Sequence, residues 1–340
     1  MTSKTIDNIV WFIPFRKLRD NIRDFMYFVY NLNNSLQAWD MFVITDFRKN
    51  IKNDINFLSK YSNLIKNLDN ESVEFINGIV AKICNYNSID DPIYFSPSKS
   101  KEFKELLEEF NNNIIKVNKE LFIYDKYILP FNQFEIEVFY DKSGMDYIKN
   151  ISRVKNKNII DAGGFIGDSA IVFSDYTDKN VYSFEPFLKN YNMILKTIEL
   201  NKKNNIIPVN MALGDENKEI SIYSGGDINS GLSIENKKDI NSVEDKVKMV
   251  TLDSYVKENN IEVGLIKTDL EGFEQPFLKG AINTIKEQKP VLIISIYHNY
   301  SDFFEIKPMI ENLNLGYKFK IIKNRCNKVI GETKLLAEVY

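Results

Sequence analysis

Cysteine and histidine are close to absent from this chain of 340 residues, which holds two of the first and one of the second. Cys84 and Cys326 stand far apart, without metal-ligand spacing. That excludes a disulfide framework or a cysteine-built metal module and reads each as a small buried apolar side chain. So little cysteine fits a reducing compartment, and the expected location is cytoplasmic. Neither sign of charge dominates: 44 Lys and Arg stand against 47 Asp and Glu, a net of −3. The strongly basic domain of a nucleic-acid binder is therefore missing. Long apolar runs are missing too. Ile9 to Phe15 is short, broken by Pro14 and preceded by the polar stretch Met1 to Asn8, so neither a signal peptide nor a bilayer-spanning helix is expected. There is no internal repeat and no low-complexity tract.

What is present is a change of period along the chain. Up to about residue 120 apolar residues recur at three- and four-residue steps: Leu18, Ile22, Phe25, Met26, Val29, Leu32 and Leu36, then Ile51, Ile55, Leu58, Leu64, Ile65 and Leu68, then Phe103, Leu106, Leu107, Phe110 and Ile114. This spacing predicts amphipathic helices packed as an N-terminal accessory domain over residues 1–120, with a loop from Ile89 to Ser100 marked by Pro92 and Pro97. An exposed apolar stripe on those helices would make a homodimer. From Leu121 the pattern becomes strand-like, at Leu121 to Tyr124 and Phe134 to Tyr140, with a short helix following around Met145 to Ile151. Strands at Asn158 to Ala162, Asn180 to Phe184, Ile206 to Ala212, Val263 to Asp269 and Val291 to Tyr297 then alternate with helices at Asp168 to Asp175, Leu188 to Lys202 and Phe277 to Glu287. Glu219 to Tyr223 and Lys246 to Leu252, around Gly225, Gly226 and Gly231, read as an inserted hairpin. The alternation predicts an α/β fold over residues 121–340, a doubly wound, mostly parallel, Rossmann-like sheet with ligands at the strands' carboxyl ends.

The densest motif is Asp161-Ala162-Gly163-Gly164-Phe165-Ile166-Gly167-Asp168 after Ile159-Ile160. It reads as a buried strand, a glycine turn and the first turn of a helix, where such folds hold nucleotide-like cofactors. A dinucleotide fingerprint would put its three glycines at Ala162, Gly164 and Gly167, so the first is missing. Asp161 at the strand end would repel a pyrophosphate and favour a cation. S-adenosyl-L-methionine carries an ammonium and a sulfonium and no phosphate. Farther on, Val181-Tyr-Ser-Phe-Glu185-Pro186 reads as a second strand ending in an acid placed for ribose hydroxyls. The plainer reading makes Asp161 a helix cap and Glu185 an ordinary strand-end acid.

Other polar residues converge on the same edge. Asp215 follows the third strand. Lys267, Asp269 and Glu271 alternate at the end of the fourth, which puts three charges on one face. His298, after Ile293-Ile-Ser-Ile-Tyr297, ends the fifth; its ordinary pKa suits proton abstraction at neutral pH. A lysine neutralising two acids is the structural alternative for the first group. Two carboxylates and one histidine could hold a divalent metal, but they show no recognised ligand spacing, so no metal is assigned. Tyr297, Tyr300, Phe303 and Phe304 lie near this edge, either stacking on a sugar or packed in the core.

The ordered segments IIDAGGFIGDSA, VYSFEP, VTLDSYV, LIKTDLEGFEQPFLKGA and KPVLIISIYHN resemble the FkbM-type methyltransferases over roughly residues 140–325. The resemblance implies a class I S-adenosylmethionine-dependent enzyme that O-methylates a hydroxyl of a sugar, glycan precursor or other small molecule, in bacteria within polysaccharide biosynthesis. It implies that Asp161, Gly163, Gly164, Gly167 and Glu185 bind the cofactor and that Asp269, Glu271 and His298 line the acceptor site. The chain departs from the family in reading Ala-Gly-Gly where Gly-Ala is usual, and Tyr-His where Glu-His is frequent. With the strand-end reading, the candidate cofactor-binding set is Asp161, Ala162, Gly163, Gly164, Gly167, Asp168, Glu185, Pro186, Asp215 and Asp269. The candidate catalytic set is His298 as base, Asp269 as second choice, Lys267 to orient Asp269 or acidify the acceptor, and Glu271. A nucleotide-dependent oxidoreductase or epimerase is opposed by Asp161 and the missing glycine. A scaffold without turnover is opposed by the retained polar strand ends.

Overall fold

The computed structural model describes residues 43–85, 97–224, 243–323, 325–326 and 328–340, and singly Trp11, Arg19 and Ile22. The helical stripe from Leu18 to Leu36, apart from Ile22, and the glycines Gly225, Gly226 and Gly231 lie outside these residues. The described chain opens with helices α1 (43–53), α2 (Phe57–Ile65), α3 (Asn70–Asn85) and α4 (Pro97–Asn112). Then come the strands β1 (Ile115–Asn118), β2 (Leu121–Tyr124) and β3 (Tyr127–Leu129), a single turn α5 (Ile136–Phe139), a 3-10 segment (Lys142–Tyr147) and α6 (Ser152–Lys155). The alternating region follows: β4 (Asn158–Ala162), α7 (Asp168–Phe173), β5 (Val181–Phe184), α8 (Leu188–Asn201), β6 (Ile206–Val209), β7 (Ala212–Leu213), β8 (Lys218–Ser224) and β9 (Val243–Val250). It ends with α9 (Leu252–Glu258), β10 (Val263–Thr268), α10 (Glu274–Gly280), α11 (Ile282–Gln288), β11 (Val291–Ser295), α12 (Tyr300–Glu311), β12 (Lys318–Lys323) and β13 (Thr333–Glu338).

Seven strands form the main sheet in the order β12-β13-β11-β10-β4-β5-β6. β11, β10, β4, β5 and β6 are parallel, while β13 runs antiparallel to both β11 and β12. Every residue of β10 and of β11 is buried, as expected of strands covered on both faces and written as near-continuous apolar runs. From β4 the chain winds outward through β5 and β6, then returns to the other side of β4 for β10 and β11. The strand order therefore reverses between β4 and β10, and ligands of such sheets bind beyond the carboxyl ends of strands at that reversal.

The two sheet faces carry separate apolar layers. Ile160, Ile266 and Ile294 pack with α9 to α12, and Ile159, Leu265 and Ile293 pack with α5 to α7. The N-terminal helices join these layers: Val43, Ile44, Phe47, Leu64, Ile76, Ile79 and Ile83 share the first, and Phe110 of α4 shares the second. Lys307 of α12, itself buried, donates to the carbonyl of Asn63 at 3.2 Å and pairs with Glu311 at 2.8 Å. A cation is favoured there by the negative end of α2.

Four sequence expectations change. Phe134 to Tyr140 is not a strand but contains the turn α5: Glu137, which a half-buried strand would turn to solvent, is buried and pairs with Lys334 at 2.9 Å. Phe277 to Glu287 is two helices, α10 and α11, meeting at Ala281; α10 ends on Gly280, where an added Cβ would lie 1.9 Å from the Gly214 carbonyl oxygen. Ile206 to Ala212 splits between the main sheet and a small sheet ordered β7-β9-β8, which contains the expected hairpin as β8 against β9. In the second helical stripe Leu64 is buried, yet Ile55 and Leu58 are 96% and 74% exposed.

Because α3 buries Ile79 in the sheet's own layer, truncating it should act on the whole molecule. Ile79→Ala is expected to lower the unfolding free energy by about 2–5 kcal/mol and to move one cooperative transition in a urea titration. Two transitions, with only the first displaced, would mean that the N-terminal helices fold as a separate unit.

Candidate active site

Parallel pairing of β4 with β10 places Asp161 opposite Lys267. Lys267 Nζ lies 3.1 Å from Asp161 Oδ1 and donates to the Gly163 carbonyl at 2.9 Å. Asp161 Oδ2 accepts from the hydroxyls of Ser169 and Ser183, each at 2.9 Å. The aspartate is 0% exposed. It therefore does not face a ligand at the loop's mouth, as its place in the sequence suggested; its charge is matched from below by Lys267. Burial would lower the lysine's pKa, but Asp161 and then Asp269 raise it above its ordinary value. Lys267 thus ties the glycine loop to β10 and makes its direct contacts with Asp161 and Gly163, not with Asp269.

The loop is shaped by these contacts. Ala162 ends β4 in strand conformation, so the first glycine of the dinucleotide pattern has no positive φ to supply here. Gly163 has φ of 86°, and a Cβ on it would sit 2.0 Å from the carbonyl oxygen of Asp269. Only glycine lets the loop lie against the end of β10, where Asp269 N donates to the Ala162 carbonyl at 2.9 Å. The amides of Gly163 and Gly164 both donate to the Phe184 carbonyl. Gly167, at φ of 83°, lies against Ile194 of α8 and precedes Asp168, the buried first residue of α7. Burial raises the Asp168 carboxyl to about 7.

Glu185, beyond β5, accepts from Phe187 N through Oε1 and from Phe165 N through Oε2, both at 3.0 Å. Burial pushes its carboxyl up to about 8. Asn210 Nδ2 clamps the same corner, donating to the carbonyls of Glu185 and Pro186 at 2.9 Å. Asp215 is exposed in the turn after β7.

The strand ends of β10 and β11 bring the second group together. His298 Nε2 lies 3.2 Å from Asp269 Oδ1 and 3.6 Å from Glu271 Oε2, and Nδ1 lies 3.1 Å from Glu274 Oε1. Burial alone would lower the imidazole's pKa, but the charges of Glu274 and Asp269 outweigh it and hold the pKa well above its ordinary value. That direction favours the protonated ring, whereas the sequence reading made His298 the base. Asp269 is held well below the carboxylate range: burial would raise it, and His298 and Lys267 more than offset that. Burial, opposed by His298 and reinforced by Asp269 and Glu274, lifts Glu271 to about 7. Tyr297 donates its hydroxyl to Asp269 at 3.2 Å. Tyr300, Phe303 and Phe304 turn the other way, into the core against Phe47 and Phe57.

Sequence inspection missed several contributors. Glu274 is fully buried and accepts from the amides of Leu270 at 2.8 Å and Gly272 at 3.0 Å, fixing the bend that carries Glu271. Its signal was the three-residue step from Glu271. Ser169, Ser183 and Asn210 belong to no motif, and only sheet register brings them to Asp161 and Glu185.

Residues 161–319 match the family model described as the Methyltransferase FkbM domain. The crystal structure of methyltransferase FkbM from Methylobacillus flagellatus KT aligns with a TM-score of 0.54 at 17% identity, covering 86% of this chain and 60% of that one. The chain thus spans less than two thirds of that protein's length. The tRNA m1G37 methyltransferase of M. jannaschii aligns with a TM-score of 0.35 at 16% identity over 66% of this chain and 57% of that one. An rRNA methylase from Streptococcus thermophilus gives 0.35 at 12% identity over 56% and 92%. No curated protein matches the chain. The fold is that of the class I S-adenosylmethionine-dependent methyltransferases. Glu185 fits the donor: beside the amides of Phe165 and Phe187 and the side chain of Asn190, its two oxygens keep acceptor capacity for a ribose hydroxyl.

Gly163→Ala is expected to drive the loop away from β10, since the new Cβ meets backbone and the positive φ alone costs about 1–2 kcal/mol. Calorimetry should then show S-adenosylhomocysteine binding weakened at least tenfold. Unchanged affinity would mean that the contact with Asp269 does not shape the cofactor site.

Proposed function

We infer that this chain, in which residues 161–319 are a methyltransferase FkbM domain, transfers a methyl group from S-adenosylmethionine to a hydroxyl of a sugar or glycan precursor. The observation that carries this reading is a single backbone junction. Gly163 of the cofactor loop abuts the carbonyl of Asp269, and the side chain of Asp269 faces His298. Donor loop and proton-handling cluster thus meet at one backbone contact. Bound S-adenosylmethionine supplies an electrophilic methyl group on its sulfonium. The Gly163 to Asp168 loop, Glu185 and Pro186 hold the donor, with Lys267 and Asp161 bracing the loop from beneath.

The acceptor hydroxyl lies against Asp269 and Glu271, whose side chains are 23% and 22% exposed beside the buried imidazole. The acceptor oxygen would take the methyl group as its bond to sulfur breaks and leaves a neutral thioether, and the hydroxyl proton would pass to Glu271, the less acidic of the two. His298 keeps Asp269 ionised, and Asp269 orients the hydroxyl together with Tyr297. Alignment of the two reactants contributes about 7–11 kcal/mol and the base about 10²- to 10⁴-fold. A small hydroxylated acceptor, a cytoplasmic location and a place in polysaccharide biosynthesis complete the reading. No helix among the described residues is long and apolar enough to cross a membrane. Ile55 and Leu58 are the apolar surface through which a homodimer would form.

Glu271→Gln is expected to lower kcat for methyl transfer to a sugar acceptor by about 10²- to 10⁴-fold while leaving S-adenosylhomocysteine affinity within a fewfold. Wild-type kcat would take Glu271 out of the base role. The raised carboxyl of Glu185 adds a linkage effect. Its contribution to folding stability is greatest at low pH and is lost as pH rises from its unfolded value to about 8. Ribose hydroxyls favour the ionised form, so cofactor binding should release a proton and tighten as pH rises toward 8. Calorimetry in two buffers of different ionisation enthalpy checks this, and identical heats would remove Glu185 from ribose binding.

A further inference from the structure

The start of β13 brings further polar groups to the edge that carries Asp269. Ile296 N donates to the Thr333 carbonyl at 3.0 Å, and Ser295, the last residue of β11, stands opposite Lys334. The Lys334 side chain is buried and pairs with Glu137 at 2.9 Å and with Glu332 Oε2 at 3.5 Å. Glu137 is the nearer partner, so Glu332 is a second acid on a cation already engaged. Ser295 is 0% exposed, and neither its hydroxyl nor the enclosed Oε2 of Glu332 makes a hydrogen bond among the described residues. Buried polar atoms of this kind are few in native proteins, and each costs stability while it lacks a partner. Glu332 stands just before β13 at φ of 58°, in the left-handed region that suits glycine or asparagine better than a long side chain. That side chain keeps 17% of its surface exposed. Tyr297 links this group to the acceptor site. Its hydroxyl donates to Asp269 at 3.2 Å, and burial, followed by the charges of Asp269, Glu332, Glu271 and Glu137, holds its pKa well above the ordinary value.

We propose that Glu332 binds a second hydroxyl of the acceptor, with Lys334 and Ser295 as the floor of that subsite. The acceptor is then a polyol that presents one hydroxyl to Asp269 and Glu271 and a neighbouring one to Glu332. This subsite rests on the methyl-transfer reading and adds the acceptor's chemistry to it. The division of roles follows from what each group already does. Glu332 Oε2 turns inward to Lys334, which leaves the exposed part of the carboxylate for a ligand. Lys334 is too deeply buried to touch the acceptor and acts as a positioning residue, holding Glu332 and Glu137 from one ammonium group. The Ser295 hydroxyl can donate and accept, as can the hydroxyl of a polyol. Burial, reinforced by Glu137, raises the Glu332 carboxyl to about 8 against the charge of Lys334. That direction favours a neutral partner over an ammonium, and a hydroxyl meets the carboxyl in either protonation state. A site built to hydrogen-bond a hydroxyl discriminates strongly against the analogue that lacks it, so Glu332 selects the acceptor and takes no part in the proton transfer.

The test uses the full chain, with and without S-adenosylhomocysteine, and the methyl α-pyranosides of glucose, mannose and galactose as probes, with saturation-transfer NMR as readout. At least one probe is expected to bind, with affinity reduced at least tenfold in Glu332→Gln while S-adenosylhomocysteine affinity stays within a fewfold. A merely structural role for Glu332 would not separate the two affinities in this way. Thermal unfolding reports whether the variant is folded, and Glu332→Asn, which tolerates the positive φ, keeps the test open if Glu332→Gln is not. Unchanged probe affinity in a folded variant overturns the subsite and leaves the methyl-transfer reading standing. S-adenosylhomocysteine binding without saturable binding of any probe at tens of millimolar overturns the subsite alone. Probe binding that weakens in Glu332→Gln, in a chain that does not bind S-adenosylhomocysteine, supports the polyol subsite and overturns the methyltransferase reading. Binding of neither overturns both.

Discussion

The buried ion pair between Asp161 and Lys267 is the constraint on which the cofactor loop rests. It joins the central strand to its neighbour across the point where the sheet's winding reverses. Two charges removed from water cost several kcal/mol each, and their attraction offsets this only when the remaining hydrogen-bonding capacity is filled. Here Ser169, Ser183 and the Gly163 carbonyl fill most of it. The lysine consequently holds strand and loop together. This is preorganisation: the cost of ordering the loop is met on folding and not on binding.

Much of this was legible in the sequence. The parallel strands could be read because each is a short apolar run bounded by turn residues, and the glycine loop because its residues are contiguous. Side-chain direction at a strand end was not legible. Asp161 looked like a ligand group because it closes an apolar run, whereas register against β10 turns it onto Lys267. His298 looked like a base because its ordinary pKa lies near neutrality. Its three acidic neighbours lie on two separate elements, and only Asp269 and Glu271 had been assigned to the same site. α5 failed for a related reason: an alternating pattern implies a strand only if its polar positions face water, and Glu137 faces Lys334.

The acid-rich edge does not end with His298. β13 runs antiparallel to β11, so its first residues lie beside the strand's carboxyl end. Buried Lys334 sits there, 2.9 Å from Glu137 and 3.5 Å from Glu332. Burial, reinforced by Glu137, raises Glu332 to about 8, against the opposing charge of Lys334.

The seam between α2 and α12 gives the N-terminal layer a mechanical meaning. α12 begins just after His298, and its capping residue Asn299 accepts from the amide of Asp302 at 2.8 Å. The same helix is held from the other side, by Tyr300 donating to Asp54 at 3.0 Å and by Lys307 at the end of α2. The segment that carries the histidine and the N-terminal helices are thus fastened to one rod. Whatever binds or displaces those helices loads the rod, and its near end is one residue from the imidazole. A layer outside residues 161–319 is thereby joined mechanically to the edge that carries His298.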